Sequence, residues 1–301
     1  MMRVEAFSPA HITGFFEIHD EHKDPLYMGS KGAGFSITQG VTTRVSIENY
    51  HKPSYEIRIN GYPVKSACVS EQVLRSFLKF VKENYRIIVD HRIDVPIGGG
   101  FGSSGAGGLS LALALNEALG LGLSKVEAAQ IAHIVEVKCK TGLGTVIAEL
   151  YGGLEARLKP GAPGIGELRK ISVNGDYSVV CLNFGSISTK KILSDPIYRA
   201  KINGMGGRLL HEFLAHQSIE NFLKLSRKFT DHVDMVTDKV RRVLQDADSR
   251  GFTCGMMMFG EGVFSIVNND VKDLLKIFHK YLDANGRVIV TKIDHEGARL
   301  L

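Results

Sequence analysis

The amino-acid sequence predicts an α+β protein in two parts. Residues 1–160 mix strand-like segments and glycine loops with amphipathic or apolar helices. The second half orders its strands and helices as an antiparallel sheet with helices on one face. Between them, residues 159–168 hold two prolines and three glycines, which marks a boundary near residue 160. The expected domains are therefore 1–160 and 161–301.

Each element follows from local pattern. Val4 to Phe7 reads as a short strand, and Gly34 to Ile47 and Ser54 to Ile59 alternate apolar and polar residues as half-buried strands do. Ala67 to Glu83 has helical periodicity, Tyr85 to Val95 reads as strand, and Ser104 to Leu119 as a long apolar helix. Ser124 followed three residues later by Glu127 is a capping-box signature for a helix running to about Lys138. A glycine break at Thr141 to Gly144 precedes a helix over Val146 to Tyr151, which stops at Gly152 and Gly153. In the second half, strands are expected at Tyr177–Phe184, Phe252–Phe259, Val263–Val267 and Val288–Ile293. Helices are expected over roughly 191–249 and Val271–Ala284.

Composition narrows the function. The chain has 301 residues, 44% of them hydrophobic and 23% charged, enough for a sizeable core. Lys plus Arg exceed Asp plus Glu by 37 to 32, and no basic run reaches five residues. That mild excess suits small anionic ligands and argues against a nucleic-acid partner. The apolar stretch Leu109–Leu115 ends at Asn116 and Glu117, too short to span a bilayer, so no membrane partner is expected. Cys68, Cys139, Cys181 and Cys254 have neither CxxC nor zinc spacing, which points to a reduced, cytoplasmic protein. A homodimer is left open.

The segment Pro96-Ile-Gly-Gly-Gly-Phe-Gly-Ser-Ser-Gly-Ala-Gly-Gly108 is the most informative. It follows a strand and opens a helix, and seven of the eleven residues from Gly98 are glycine. Unpaired N–H groups at a helix start, close backbone approach and the helix dipole together make a phosphate cradle. A Walker loop would end in Gly-Lys-Ser/Thr, and no lysine is present. Gly100, Gly102 and Gly105 fit the GxGxxG dinucleotide spacing, but His91-Arg-Ile-Asp-Val-Pro96 alternates where such a strand is apolar on both faces.

This loop resembles the second motif of the GHMP kinases, Pro-x-Gly-x-Gly-Leu-Gly-Ser-Ser-Ala, through Pro96, Gly98, Gly100, Gly102, Ser103 and Ser104; Phe101 and Gly105 depart from it. Ser8-Pro-Ala-His-Ile12, with Glu17 beyond it, lies where the first motif is found, His11 replacing a Lys or Arg. Gly255-Met-Met-Met-Phe-Gly-Glu-Gly262 is similar to the third. Ser8 to Phe16, Gly29-Ser-Lys-Gly-Ala-Gly34 and Lys140-Thr-Gly-Leu-Gly144 look like the branch of archaeal pantoate kinases.

The resemblance implies a ribosomal-protein-S5-like N-terminal domain and a ferredoxin-like C-terminal domain. It implies ATP and Mg2+ as cofactors and phosphorylation of the primary hydroxyl of pantoate, a step of archaeal coenzyme A synthesis. Homoserine, shikimate or mevalonate is the alternative acceptor, and a non-catalytic nucleotide-binding homologue the alternative class. Pro96, Gly98, Gly99, Gly100, Gly102, Ser103 and Ser104 are expected on the triphosphate, with Ser104 and Glu136 on magnesium. His11, Thr13 and Lys31 are expected on pantoate or the γ-phosphate. Thr145 occupies a catalytic position where many members carry an Asp as base. Three other features read as structural: the polar loop His19-Asp-Glu-His22, the pair His211 and His216, one residue too far apart for a zinc helix, and the strand-core run Met256–Met258.

Overall fold

The computed structural model describes residues 1–187 and 189–301. The first half builds strands β1 (Met2–His19), β2 (Gly29–Asn49), β3 (Ser54–Ile59), β4 (Tyr62–Pro63) and β5 (Tyr85–Ile93), with helix α1 (Cys68–Phe77) between β4 and β5. Helices α2 (Ser103–Ala118), α3 (Lys125–Cys139) and α4 (Thr145–Tyr151) follow, then β6 (Leu154–Lys159) and β7 (Glu167–Ile171). The second half runs β8 (Ser178–Ser186), α5 (Thr189–Ser194), α6 (Pro196–Ala215), α7 (Ile219–Val233), α8 (Asp238–Ser249), β9 (Gly255–Met256), β10 (Gly260–Val267), α9 (Val271–Tyr281), β11 (Arg287–Thr291) and β12 (Arg299–Leu300).

Two sheets result. The larger has the order β12-β1-β2-β5-β3-β4, with β6 added to β2 and β7 to β6; the smaller is β11-β8-β10-β9. Strand pairing continues past residue 160, since β7 pairs with β6 and β12 returns from the C-terminus to pair with β1. β1 is far longer than the short strand expected. It pairs antiparallel with β2 from Met2↔Ile47 to His19↔Gly29, with irregularities at Pro9/Ala10 and Thr13/Phe15. Proline cannot donate to a ladder, so a bulge beside Pro9 is where a strand tolerates it. The bulge also re-aims the chain: the His11 N–H leaves the ladder's usual partner and donates to the Phe101 carbonyl of the glycine loop at 2.9 Å.

The expected capping box is present, Ser124 accepting from the Glu127 N–H and Glu127 from that of Ser124. α2 is apolar on nearly every side and buried, packing between the large sheet and α1 and α3, its Leu109 and Leu113 in one cluster with Val45, Val89 and Phe77. The smaller sheet is covered on both faces, and not on one as its sequence suggests. Val180 and Leu182 face Leu244 of α8 and Phe278 of α9, whereas the alternate residues Val179 and Cys181 join the core shared with β1, β2, α6 and α7. Phe15, Phe35, Phe213, Phe222 and Phe264 interlock there, with ring centroids 5.5–6.2 Å apart. The strand expected over Phe252–Phe259 shrinks to Gly255–Met256, since the chain turns where the Gly260 N–H donates to the Met257 carbonyl.

α6 crosses β1 at Gly206, where an added Cβ would lie 1.9 Å from the Phe16 carbonyl oxygen. Gly206→Ala is therefore expected to destabilise the protein by roughly 2 kcal/mol through overpacking, read as a lower urea midpoint with an unchanged m-value.

Candidate active site

A cleft of about 580 Å³ opens between the glycine loop, the start of α1 and the turn 140–144. One end is apolar, with Ile59, Ala67, Val69, Ile93 and Ile97. His91 also reaches this end, held between the hydroxyls of Thr43 (2.7 Å) and Ser70 (3.0 Å). Burial lowers its pKa to about 4, so it is neutral.

The glycine loop forms the cleft's centre. Gly98, Gly100, Gly102, Ser103 and Ser104 line it. Gly102 is the N-cap of α2 with φ 65°, a conformation that favours glycine, and no side chain caps the helix. The first-turn N–H groups of a 16-residue helix are thus left for an anion. Pro96 and Gly99 do not line the cleft. The Gly99 carbonyl accepts from Asn183 Nδ2 at 2.9 Å, tying the loop to β8. The third glycine segment backs the same loop: a Cβ on Gly260 would lie 2.0 Å from the Gly99 carbonyl oxygen.

Beneath the loop lies a group of oxygens. Ser104 Oγ donates to Glu136 Oε1 at 3.2 Å and Thr145 Oγ1 to Glu136 Oε2 at 2.7 Å. Burial pushes the Glu136 carboxyl up to about 7, against the opposing pull of the two hydroxyls. Glu149, one turn beyond Thr145 on α4, is fully buried and neither of its oxygens has a partner. Burial first, and then the charge of Glu136, raises its pKa well above the carboxylate range, so it holds its proton. Gly105 makes room for this group, since a Cβ there would be 2.8 Å from both Glu149 Oε2 and Thr145 Oγ1. That accounts physically for glycine where the resembling motif has alanine. The Thr145 hydroxyl thus spends its proton on Glu136. Thr145→Ala is accordingly expected to keep single-turnover activity within about tenfold of the parent, a general base being worth 10²–10⁴-fold.

The third group surrounds His11. Its imidazole lies against the cleft, but Nε2 is 3.2 Å from Glu155 Oε1 and Nδ1 is 3.4 Å from Thr13 Oγ1. Burial lowers the His11 pKa more than Glu155 raises it. The ring is therefore neutral, donating from Nε2 to the carboxylate and accepting from Thr13. It is not the free cation that the Lys or Arg of the motif would be. The buried cation is Arg157, which pairs with Glu155 and whose Nε has no partner. That Nε and Ser30 Oγ crowd against Gly144, where a Cβ would be 3.1 Å and 2.1 Å from them. Thr13 and Ser30 line the cleft, whereas Lys31 does not; adjacent strand residues point to opposite faces, and Lys31 pairs with Glu17 at 3.2 Å. Among the described residues lining the cleft, the one lysine or arginine is Lys140.

Sequence reasoning thus missed Arg157, Glu155, Glu149, Ser30 and Lys140. The signal for the first two was two opposite charges two apart in a strand, and the signal for Glu149 was a carboxylate one helical turn after Thr145.

A sequence model of the GHMP kinases N terminal domain matches residues 66–153. A pantoate kinase of Thermococcus kodakarensis is 35% identical over 281 residues, 91% of this chain and 91% of its own length. A pantoate kinase of Methanocaldococcus jannaschii is 36% identical over 283 residues, 93% of this chain and 98% of its own. A solved structure described as a phosphotransferase related to the CoA biosynthesis pathway superposes with a TM-score of 0.88 at 33% identity, covering 99% of this chain and 98% of that one. A homoserine kinase of Cytophaga hutchinsonii, 18% identical with a TM-score of 0.71 over 99% of this chain and 97% of its own, shares the fold.

Proposed function

We propose, from the premise that the chain belongs to the pantoate kinases of the GHMP family, that it transfers the γ-phosphoryl group of ATP to the primary hydroxyl of pantoate, giving 4-phosphopantoate. The observation that carries this reading is the uncapped N-terminus of α2 behind a glycine loop, opening on a cleft with a buried carboxylate at one side. The nucleobase takes the apolar end near Ile59 and Val69, and the triphosphate follows Gly98 to Ser104, with Lys140 at the polar end. Both reactants are small anions of the cytoplasm, in keeping with the chain's net charge of +5.

Magnesium suits the oxygens on hand. Among the described residues no cluster of three or more His, Cys, Asp or Glu could hold a metal. Mg2+ keeps most of its waters and asks for one or two carboxylates plus phosphate oxygens. Glu136, Ser104 and the ATP phosphates would meet that demand. The ion would supply charge neutralisation on the transferring phosphoryl group.

The acceptor's carboxylate is received at Ser30 and Thr13, which line the cleft, with the charge of Arg157 buried directly behind Ser30 and Gly144. His11 acts through Arg157 and Glu155, holding them in place. Phosphoryl transfer rests mostly on alignment and charge stabilisation, with bond breaking well ahead of bond making. The hydroxyl then loses its proton late, to a phosphate oxygen, and no carboxylate base at position 145 is required.

The test is ADP release with ATP and Mg2+ in the presence of pantoate, pantothenate, homoserine or mevalonate. Pantoate is expected to turn over and pantothenate to be a poor acceptor. Turnover of homoserine or mevalonate with none of pantoate would show that the acceptor is wrong.

A further inference from the structure

The four cysteines have no motif spacing, yet the fold brings two of them into contact. Cys68 is the first residue of α1 and Cys139 the last of α3, and their Sγ atoms lie 2.7 Å apart across 71 residues of sequence. The two helices run side by side, Cys68, Gln72 and Ser76 of one lining a groove with Val135, Lys138 and Cys139 of the other. Both residues also line the cleft. Cys181 and Cys254 are buried elsewhere. Cys68 is exposed and meets external reagents, whereas burial, together with its neighbour Cys68, pushes the Cys139 thiol up to about 12.

We propose that Cys68 and Cys139 form a reversible intramolecular disulfide, a clasp between α1 and α3 at the edge of the cleft, closed by low-molecular-weight disulfides and opened by dithiols. The Cys68 thiolate attacks one sulfur of a small disulfide, forming a mixed disulfide and expelling a thiolate that takes up a proton. Cys139 gives its proton to solvent and attacks the Cys68 sulfur, expelling the second small thiolate. Two protein thiols lose two electrons and the reagent disulfide gains them. The sulfurs already touch, so the bond needs no long approach of one helix to the other. Because the residues it joins are far apart in sequence, it restricts the unfolded chain strongly. In a reducing compartment the pair rests as thiols and closes under oxidant.

The experiment treats the full-length protein with oxidised glutathione or with dithiothreitol, then titrates thiols in guanidinium and maps peptides by mass spectrometry. Thiols are expected to fall from the four free cysteines to two, with a Cys68–Cys139 cross-linked peptide and a rise in Tm of roughly 5 °C that dithiothreitol reverses. Cys68→Ser and Cys139→Ser should each abolish both changes; Cys68 is exposed, so its variant tests the site without disturbing the core. A glutathione adduct that stays on Cys68, disulfides between molecules, or an unchanged Tm gain in Cys139→Ser would each overturn the proposal.

Discussion

Glu136→Gln is expected to lower kcat by about a hundredfold or more while making the ligand-free protein more stable above pH 7. The two effects share one cause. The Glu136 carboxyl is buried and its pKa is about 7 in the folded protein, against an ordinary value of 4.5. A group whose folded pKa is raised contributes stability that is fully present below 4.5 and lost as pH rises through about 7. Glutamine cannot ionise, so the variant avoids a loss on the order of 3 kcal/mol at alkaline pH. It still accepts one of the hydroxyl hydrogen bonds that Ser104 and Thr145 make to the parent. Thermal melts without nucleotide between roughly pH 5 and pH 8.5 should therefore converge at the acid end and separate at the other. Catalysis is expected to run the other way, since a magnesium ion held as proposed would need the carboxylate. Parent turnover should fall as pH drops through about 7, and added Mg2+ should move that limb to lower pH by competing with the proton. Near-normal turnover in Glu136→Gln would remove the carboxylate from the metal site, whatever the melts show.

How much of this was legible beforehand depended on whether the signal was local. The glycine loop is local: its φ > 0 positions and the helix behind it are written in consecutive residues from Gly98 to Ser104. The capping box at Ser124 and Glu127 is local too. Glu136 and Thr145 were reachable because the resembling motifs carry them. By contrast, Leu154-Glu-Ala-Arg-Leu-Lys159 reads as an amphipathic strand with its charges in water. The fold buries Glu155 and Arg157 because β6 lies against β2 with His11 of β1 beyond it. Only the tertiary partner reverses the inference, since opposite charges neutralise each other where single ones would stay out. Lys31 failed for the converse reason. Strand alternation gives Ser30 to the cleft and its neighbour to Glu17, and the sequence could not show which face was inside. The length of β1 was hidden by Pro9 and Gly14, residues that usually end strands and here sit at or beside bulges.

Arg157→Met should be the most damaging single change near the acceptor, for two separable reasons. Arg157 is fully buried and pairs with Glu155, which also accepts from His11. Removing the guanidinium leaves Glu155 as a buried charge facing a neutral imidazole, a loss of about 3–5 kcal/mol by analogy with other broken buried pairs. That loss is structural and would follow whatever the protein phosphorylates. The second reason is chemical. Arg157 Nε is buried without a partner behind Ser30 and Gly144, which line the cleft, and an anion bound at Ser30 as proposed would gain from its charge. The double variant Arg157→Met/Glu155→Gln separates the two. With both charges gone the cluster is neutral, and stability should return to within about 1 kcal/mol of the parent, as for other buried pairs replaced together. Pantoate KM should stay raised by about a hundredfold, the worth of one charged hydrogen bond, with ATP affinity little changed. Urea unfolding of the single and double variants gives the first quantity and steady-state kinetics at saturating ATP the second. If the double variant recovers stability and pantoate KM together, Arg157 serves only to neutralise Glu155, and the acceptor's carboxylate is bound elsewhere in the cleft.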